Sequence, residues 1–466
     1  MSAREAKDYT TPREGGAAAR NPRRRGPKST RGPTPKKLTQ RGFVSYLVSP
    51  PVGASPEEDG GAARVLEHKD PGQAPEFREV EEKLAAAKSA MDPYETDPEL
   101  GEALRAVDIY SSLKSTVVRH YGGQIVTNAW LKMYEIATQM GLVVTCRVPL
   151  AAPQDGKTHR LRAFCDAELP GAFVSGLNQL LCTWHPETQF EWAASSLFPD
   201  EDNTAGRGDD GADGEILGDY YGLYRHNRAN WLMDPDMRGD VTDVPSIRTL
   251  VARAKARLGE IDLYTSDAGI GVGSDYLRQE ELTARIHLGQ TLVGLMALRP
   301  GGALVVKTYT FVHPFSISLI AVCAEVFDSF YITKPLTSRP ANSEVYIVGI
   351  GFRGLSPEQE DRLLAAVRDH DFAAALVPLD TPATELTVAS ILDAARRIHM
   401  SQQKDFLDEA VAFLKAYKGR IGALRHALRP VASRAQAQWL EQNPVRHLPV
   451  KCRLPDDAGT KKEGGP

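Results

Sequence analysis

A chain of 466 residues with 42% hydrophobic content is long enough for one sizeable catalytic core with appended segments. The net charge of −4 is uneven: residues 1–42 carry twelve Lys/Arg against three Asp/Glu, a local +9 that leaves −13 for the remainder. Five scattered cysteines (Cys146, Cys165, Cys182, Cys323, Cys452) without a CxxC exclude a disulfide framework and structural zinc, and no apolar run approaches the roughly 18 residues of a membrane span.

These features predict a soluble intracellular protein of the nucleus or cytoplasm. The arm 1–42, with PRRRGPK and PTPKK, is too polar to fold alone and is expected to be disordered. It suits an RNA-phosphate tether, a nuclear import signal or a plain solubilising tail. Residues 43–123 read as a linker and N-terminal helices. Gly53 to Pro75 is turn-rich, whereas Glu76–Met91 and Glu99–Val118 have helical patterns. A further helix over Gln124–Leu142 carries Lys132 at its centre, where spacing alone gives a solvated or snorkelling lysine.

The sheet is predicted to begin at LRAFCDAELPGAF. Apolar residues run into an acidic turn, and Pro170-Gly171-Ala172-Phe173 opens a helix whose first amides face a polar ligand. FEWAASSL reads as the next strand, followed by an acidic, glycine-rich surface insert (PDEDNTAGRGDDGADGE) without calcium-loop order. GDVTD (Gly239–Asp243) reads as a short strand before a helix over Pro245–Leu258. IDLYTSDAG then presents Asp267 at a strand's carboxyl end, and ALVVK presents Lys307 beside it after a helix over Ser274–Leu298. SEVYIVGIGF alternates like a strand and carries Glu344 at its start. With Phe330–Ile332 it forms a candidate antiparallel closing pair. The expected fold is therefore a doubly wound Rossmann-like α/β sheet with an antiparallel last strand and helical N- and C-terminal extensions. Residues 355–455 read as four helical stretches capping the sheet or facing a partner, and 456–466 as a polar tail.

The ordered set AELPGAF, FEWAASSLFP, GDVTD, DLYTSDAG, LVVKTYTF and KPLTSRPANSEVYIVG resembles the FtsJ-like S-adenosylmethionine-dependent ribose 2′-O-methyltransferases. The similarity is greatest to the adrift-type branch, with the eukaryotic cap-2 enzyme and relatives in large DNA viruses, and it spans residues 124–354. The resemblance implies a Lys-Asp-Lys-Glu tetrad at Lys132, Asp267, Lys307 and Glu344, which gives Lys132 a catalytic reading in place of a solvated one. It also implies S-adenosylmethionine at the strand ends, near Gly171, Phe173, Trp192, Asp240 and Asp267. Ser195 and Ser196 stand where bacterial relatives have a ribose-binding acid, and Glu168 is the candidate substitute.

Methyl transfer to a hydroxyl requires alignment of oxygen, carbon and sulfur, and a group that accepts the proton or stabilises the alkoxide. Lys307 is assigned that role, with its pKa expected to be lowered by burial and by Lys132, while Asp267 and Glu344 orient the two amines. Lys334, Ser338 and Arg339 are candidates for holding RNA phosphates; the lesser alternative for Arg339 is a pair with a nearby carboxylate. Trp130, Tyr220, Tyr221, Tyr224 and Trp231 are either base-stacking groups or core aromatics. The expected activity is 2′-O-methylation at the capped 5′ end of mRNA, without a metal or membrane partner. Methylation of ribosomal or internal RNA and a catalytically silent RNA-binding subunit are the alternatives.

Overall fold

Strands that are apolar along both faces need cover on both sides, and the central strands of this protein receive it. The computed structural model describes residues 43–48, 74–94, 97–197, 218–233, 239–273 and 275–457, all within the unit Pro35–Pro466. The basic arm, the acidic insert, nearly all of the expected linker and most of the polar tail lie outside the described residues.

Strand β1 (Val44–Val48) is followed by helices α1 (Pro75–Ser89), α2 (Pro98–Val107), α3 (Leu113–Tyr121), α4 (Asn128–Gln139) and α5 (Leu142–Cys146). The doubly wound part runs β2 (Val148–Gln154), β3 (Lys157–Asp166), α6 (Ala172–Trp184), β4 (Thr188–Ala194), α7 (Leu223–His226), α8 (Val244–Leu258) and β5 (Ile261–Ser266). It continues through α9 (Gln279–Ala297), β6 (Leu298–Thr308), α10 (Pro314–Val326), β7 (Phe327–Lys334) and β8 (Val345–Phe352). The chain ends in α11 (Pro357–Arg368), α12 (Glu385–Ala395), a π-helical segment Arg396–Lys404, α13 (Asp405–Tyr417) and α14 (Ile421–Gln442).

The sheet order is β1-β7-β8-β6-β5-β3-β2, with β4 also paired to β3. Strands β4, β3, β5 and β6 are mutually parallel, and β8 runs antiparallel to both β6 and β7, as expected for a closing pair. Alternation along each strand divides the core. Leu263, Val305 and Val348 pack with α3, α4, α6 and α14, while Tyr264, Leu304 and Val306 pack with α8, α9 and α10 on the opposite face.

Register then brings the chemistry to one rim. Asp166 is opposite Ser266, and Ser266 opposite Val306, so β3, β5 and β6 end together. Because β8 is antiparallel, its first residue, Val345, lies opposite Thr308, and Glu344 therefore arrives at the same rim as Lys307.

Several expectations change. GDVTD forms no strand: Gly239 adopts φ +67°, and the Asp240 carboxylate accepts from the Thr242 amide (2.8 Å) and hydroxyl (2.7 Å). Asp243 then caps α8 by accepting from the Ser246 amide at 2.9 Å. Local side-chain bonds have replaced a ladder. The sheet begins earlier than predicted, with β1 on β7 and with the β2–β3 hairpin. Pro149 and Pro153 hide β2 from a pattern reading, although Asp155 and Gly156, both at positive φ, are a hairpin-turn dipeptide. The stretch Glu99–Val118 divides into α2 and α3, with Asp108 accepting from the Tyr110 amide between them.

One glycine fixes how closely α9 lies on the turn before α8. A Cβ on Gly289 would stand 1.7 Å from the Val241 carbonyl oxygen. In an exposed helix, Gly→Ala gains about 1 kcal/mol. Here Gly289→Ala is expected to cost about 1–3 kcal/mol through overpacking, read as a lower urea midpoint at unchanged slope. A neutral or raised midpoint would show that this contact does not restrict the helix.

Candidate active site

Lys132 comes from α4, whose Thr127 N-cap accepts from the Trp130 amide. The stack of Trp130 on Tyr134, with centroids 4.8 Å apart, seats that helix in the core and turns Lys132 toward the strand ends. Its ammonium donates to both Glu344 oxygens, at 2.9 and 3.0 Å, and lies 5.6 Å from the centre of the Tyr346 ring. Lys307, at the end of β6, donates to the Asp267 carbonyl at 2.6 Å and stands 3.4 Å from Asp267 Oδ1. Tyr346 joins the two halves by donating to Asp267 Oδ1 at 2.7 Å. All four tetrad residues thus meet at the carboxyl rim, with Lys132, Lys307 and Glu344 buried and Asp267 partly open.

Charge decides the protonation states. Burial opposes ionisation of Glu344, yet the ammoniums of Lys132, Lys307 and Lys334 outweigh it and hold the carboxyl below its usual range. Burial would likewise lower the pKa of Lys307, but Asp267, Tyr309 and Glu344 outweigh that effect and raise it. This reverses the expected lowering. Lys132 lends Lys307 little repulsion because its own charge is compensated by Glu344 at contact distance.

The predicted phosphate contacts divide differently. Lys334 is buried and points inward, donating to the Glu344 carbonyl (2.6 Å), the Asn342 carbonyl (2.8 Å) and Asn342 Oδ1 (3.1 Å). Ser338, also buried, donates to Glu344 Oε1 at 2.8 Å. Both organise the loop before β8, where the sequence reading had placed phosphate ligands. Arg339 is exposed, with its charge within reach of Asp108. Among the proposed stacking aromatics, Trp130 and Trp231 are core residues, whereas Tyr220 is 64% exposed and Tyr221 40%.

Of the residues assigned to the cofactor, Glu168, Gly171 and Phe173 follow the end of β3 into the start of α6. The Glu168 carboxylate accepts from the Val174 amide at 2.9 Å, capping α6, and Gly171 adopts φ +109° to start that helix. Leu223 covers Gly171, so closely that a Cβ there would overlap its side chain, and Phe173 is buried against Tyr346. Gly171 and Phe173 therefore serve the packing beneath the rim. Trp192 is buried edge-on to Trp231, and Asp240 forms the turn described above. Sequence reasoning overlooked Asp166 and Tyr346. Burial, with only amide and hydroxyl donors to offset it, pushes Asp166 up to about 7. Burial and the charges of Asp267 and Asp166 push Glu168 up to about 8.

A family model described as FtsJ-like methyltransferase matches residues 223–352. The probable methyltransferase EP424R of African swine fever virus (isolate Warthog/Namibia/Wart80/1980) is 36% identical over 396 residues, covering 81% of this chain and 85% of that protein. Cap-specific mRNA (nucleoside-2′-O-)-methyltransferase 2 of Drosophila melanogaster is 28% identical over 292 residues, 62% of this chain and 38% of that protein. Its Danio rerio counterpart is 30% identical over 249 residues, 53% of this chain and 31% of that one. Fold and site define a Rossmann-like methyltransferase. The chain belongs to the FtsJ-like family, and its methyl donor is S-adenosylmethionine.

The acids at the rim fit that donor. Asp166 and Glu168 are desolvated, and the charges of Asp267 and Asp166 act against ionisation of Glu168; S-adenosylmethionine carries an ammonium and a sulfonium that would relieve this repulsion. No group of three or more His, Cys, Asp or Glu suited to a metal occurs among the described residues, and none of the described helices is long and apolar enough to cross a membrane.

A pH dependence follows. The folded pKa values of Asp166 and Glu168, about 7 and about 8, lie above their ordinary values, so the free protein holds extra protons and loses stability as pH rises from about 4 to about 8. A bound cation favours the ionised forms. S-Adenosylmethionine binding near pH 7 should therefore release protons, with affinity rising by up to about tenfold per pH unit for each coupled proton. Calorimetry in buffers of different ionisation enthalpy measures the release. Equal heats in all buffers for the wild type, or an undiminished release in Glu168→Gln, would count against it.

Proposed function

We propose that this protein transfers the methyl group of S-adenosylmethionine to a ribose 2′-hydroxyl of RNA, at the capped 5′ end of mRNA. The observation that carries the reading is the convergence of Lys132, Asp267, Lys307 and Glu344 on one rim, as two amine–carboxylate pairs bridged by Tyr346. When bound, S-adenosylmethionine supplies a methyl group activated on a positively charged sulfur. Two fixed ammoniums suit a reaction in which a hydroxyl oxygen gains negative charge, because preorganised donors stabilise that charge without reorganising.

The raised pKa of Lys307 favours one of its two expected roles. Protonated at rest, Lys307 donates to the oxygen as its bond to the methyl carbon forms and the carbon–sulfur bond breaks, and the hydroxyl proton leaves to solvent at the open side of Asp267. Lys132, clamped by Glu344, holds the hydroxyl from the second side, and Asp267 keeps the Lys307 side chain aimed at the oxygen. Arg339, exposed beside the rim, is the proposed phosphate contact, and Tyr220 and Tyr221 are the aromatics open enough to stack on a base. The cap specificity named in the fruit-fly and zebrafish relatives supports capped mRNA as the substrate.

The test is methyl transfer from radiolabelled cofactor to capped and uncapped transcripts of identical sequence, followed by mapping of the modified nucleotide. Transfer restricted to the capped transcript at a 5′-proximal ribose is expected. Equal transfer to both would redirect the reading to internal or ribosomal RNA, and labelling of a base would overturn it.

A further inference from the structure

Glu135 has no part in the tetrad, yet it is completely buried and its carboxylate is almost saturated with donors. Oε1 accepts from the Leu336 amide at 2.7 Å, and Oε2 from the Thr337 amide at 3.2 Å, the Thr337 hydroxyl at 2.8 Å and the Trp439 indole at 3.0 Å. Three separate segments meet on this one group: α4, the loop between β7 and β8, and α14. We propose that Glu135 is a positioning residue for methyl transfer, setting the register of α4 against the loop before Glu344 and so placing Lys132 on that acid. The inference rests on the catalytic reading of the tetrad given above.

The geometry makes the link short. Glu135 lies three residues after Lys132, on a neighbouring face of the same helix. The loop it grips contains Ser338, which donates to Glu344 Oε1, the oxygen that also accepts from Lys132. A shift of α4 relative to this loop would change the Lys132–Glu344 contact directly. Burial disfavours the charge of this carboxylate, and an apolar side chain in its place would leave the Leu336 and Thr337 amides and the Trp439 indole without an acceptor. What an apolar residue lacks is direction: four donors arriving at two oxygens fix both the depth and the rotation of α4. Through Trp439, the C-terminal helix takes part in that placement.

Glu135→Gln preserves an acceptor for Leu336 but turns an N–H₂ toward the Thr337 amide and the indole. In the full-length protein, kcat on a capped transcript is expected to fall on the order of 10²-fold, the cost of a small misplacement at a reacting centre, with cofactor affinity unchanged. Leu424→Ala, also on α14 but packed toward α2 and α13, serves as the stability control. It should lower the melting temperature without changing kcat measured well below melting. The inference is overturned if Glu135→Gln keeps wild-type kcat, or if its loss is no greater than that of the control. Should Glu135→Gln fail to fold, Trp439→Phe replaces it, removing one donor while keeping an aromatic ring. An approximately tenfold lower kcat supports the inference, and an unchanged kcat overturns it. Lys132→Ala separates the two levels of the argument. If that variant turns over normally, the tetrad reading itself fails. If it is inactive while Glu135→Gln is not, only the role of Glu135 falls.

Discussion

Lys307→Ala protein is expected to bind S-adenosylmethionine with near wild-type affinity and to transfer methyl groups about 10²–10⁴-fold more slowly, the range for losing one well-placed acid–base or electrostatic group. The substitution should leave the site standing. Asp267 keeps its bond from Tyr346, and Lys132 keeps both bonds to Glu344. What disappears is the cation nearest Asp267 and, with it, the proposed donor to the reacting oxygen. Arginine is not expected to rescue, because a planar guanidinium cannot occupy the narrow seat between the Asp267 carbonyl and Gly269, where a Cβ on Gly269 would stand 3.1 Å from Lys307 Nζ. Calorimetry gives the affinity and a single-turnover assay the rate. Normal turnover by the alanine variant would remove Lys307 from the mechanism.

Ending the chain after Gln442 should cost more than about 3 kcal/mol and abolish cofactor binding, although nothing beyond that residue belongs to the tetrad. The segment 443–457 buries Val445 and Leu448, worth about 1.5–3 kcal/mol each, and returns across α6 and the turn before α4. Gln124 donates to the Leu454 carbonyl and Asp456 and accepts from the Leu454 amide. Gln179 donates to the Arg446 carbonyl, Asn178 to that of Cys452 and Tyr134 to that of Pro444. Truncation would remove these partners and leave Gln179 only its bond to the Tyr121 carbonyl, and stranding buried polar groups costs more than the bonds themselves contribute. A urea titration followed by circular dichroism checks the result. A truncated protein with the full-length midpoint and normal affinity would show the segment to be dispensable.

These long returns explain how far the sequence could be read. Strand β5, its acid, the lysine ending β6 and the closing pair were legible because alternation and turn residues are local signals. The convergence of Lys132 with Glu344, 212 positions apart, could come only from the resemblance. Lys334 and Ser338 were read as phosphate ligands because a lysine and a serine in a loop next to a catalytic acid look accessible. Their inward rotation depends on the backbone path of Asn342 and Glu344, which has no periodic signature. Glu135 was invisible for the same reason: its indole partner lies 304 residues away. In GDVTD the apolar content was too slight to outweigh aspartates that bond their own backbone.

Strand β1 has one further consequence. An eight-residue rim such as β7 is a template on which other chains can grow by main-chain pairing, the first step toward polymerisation. The five residues of β1 occupy Phe330–Lys334 and present a shorter rim of their own, with the Tyr46 ring against the Arg397 guanidinium. At the opposite margin the Leu232 amide donates to the Ala194 carbonyl and shortens the open stretch of β4. Strand addition is thereby discouraged along β7 and β4.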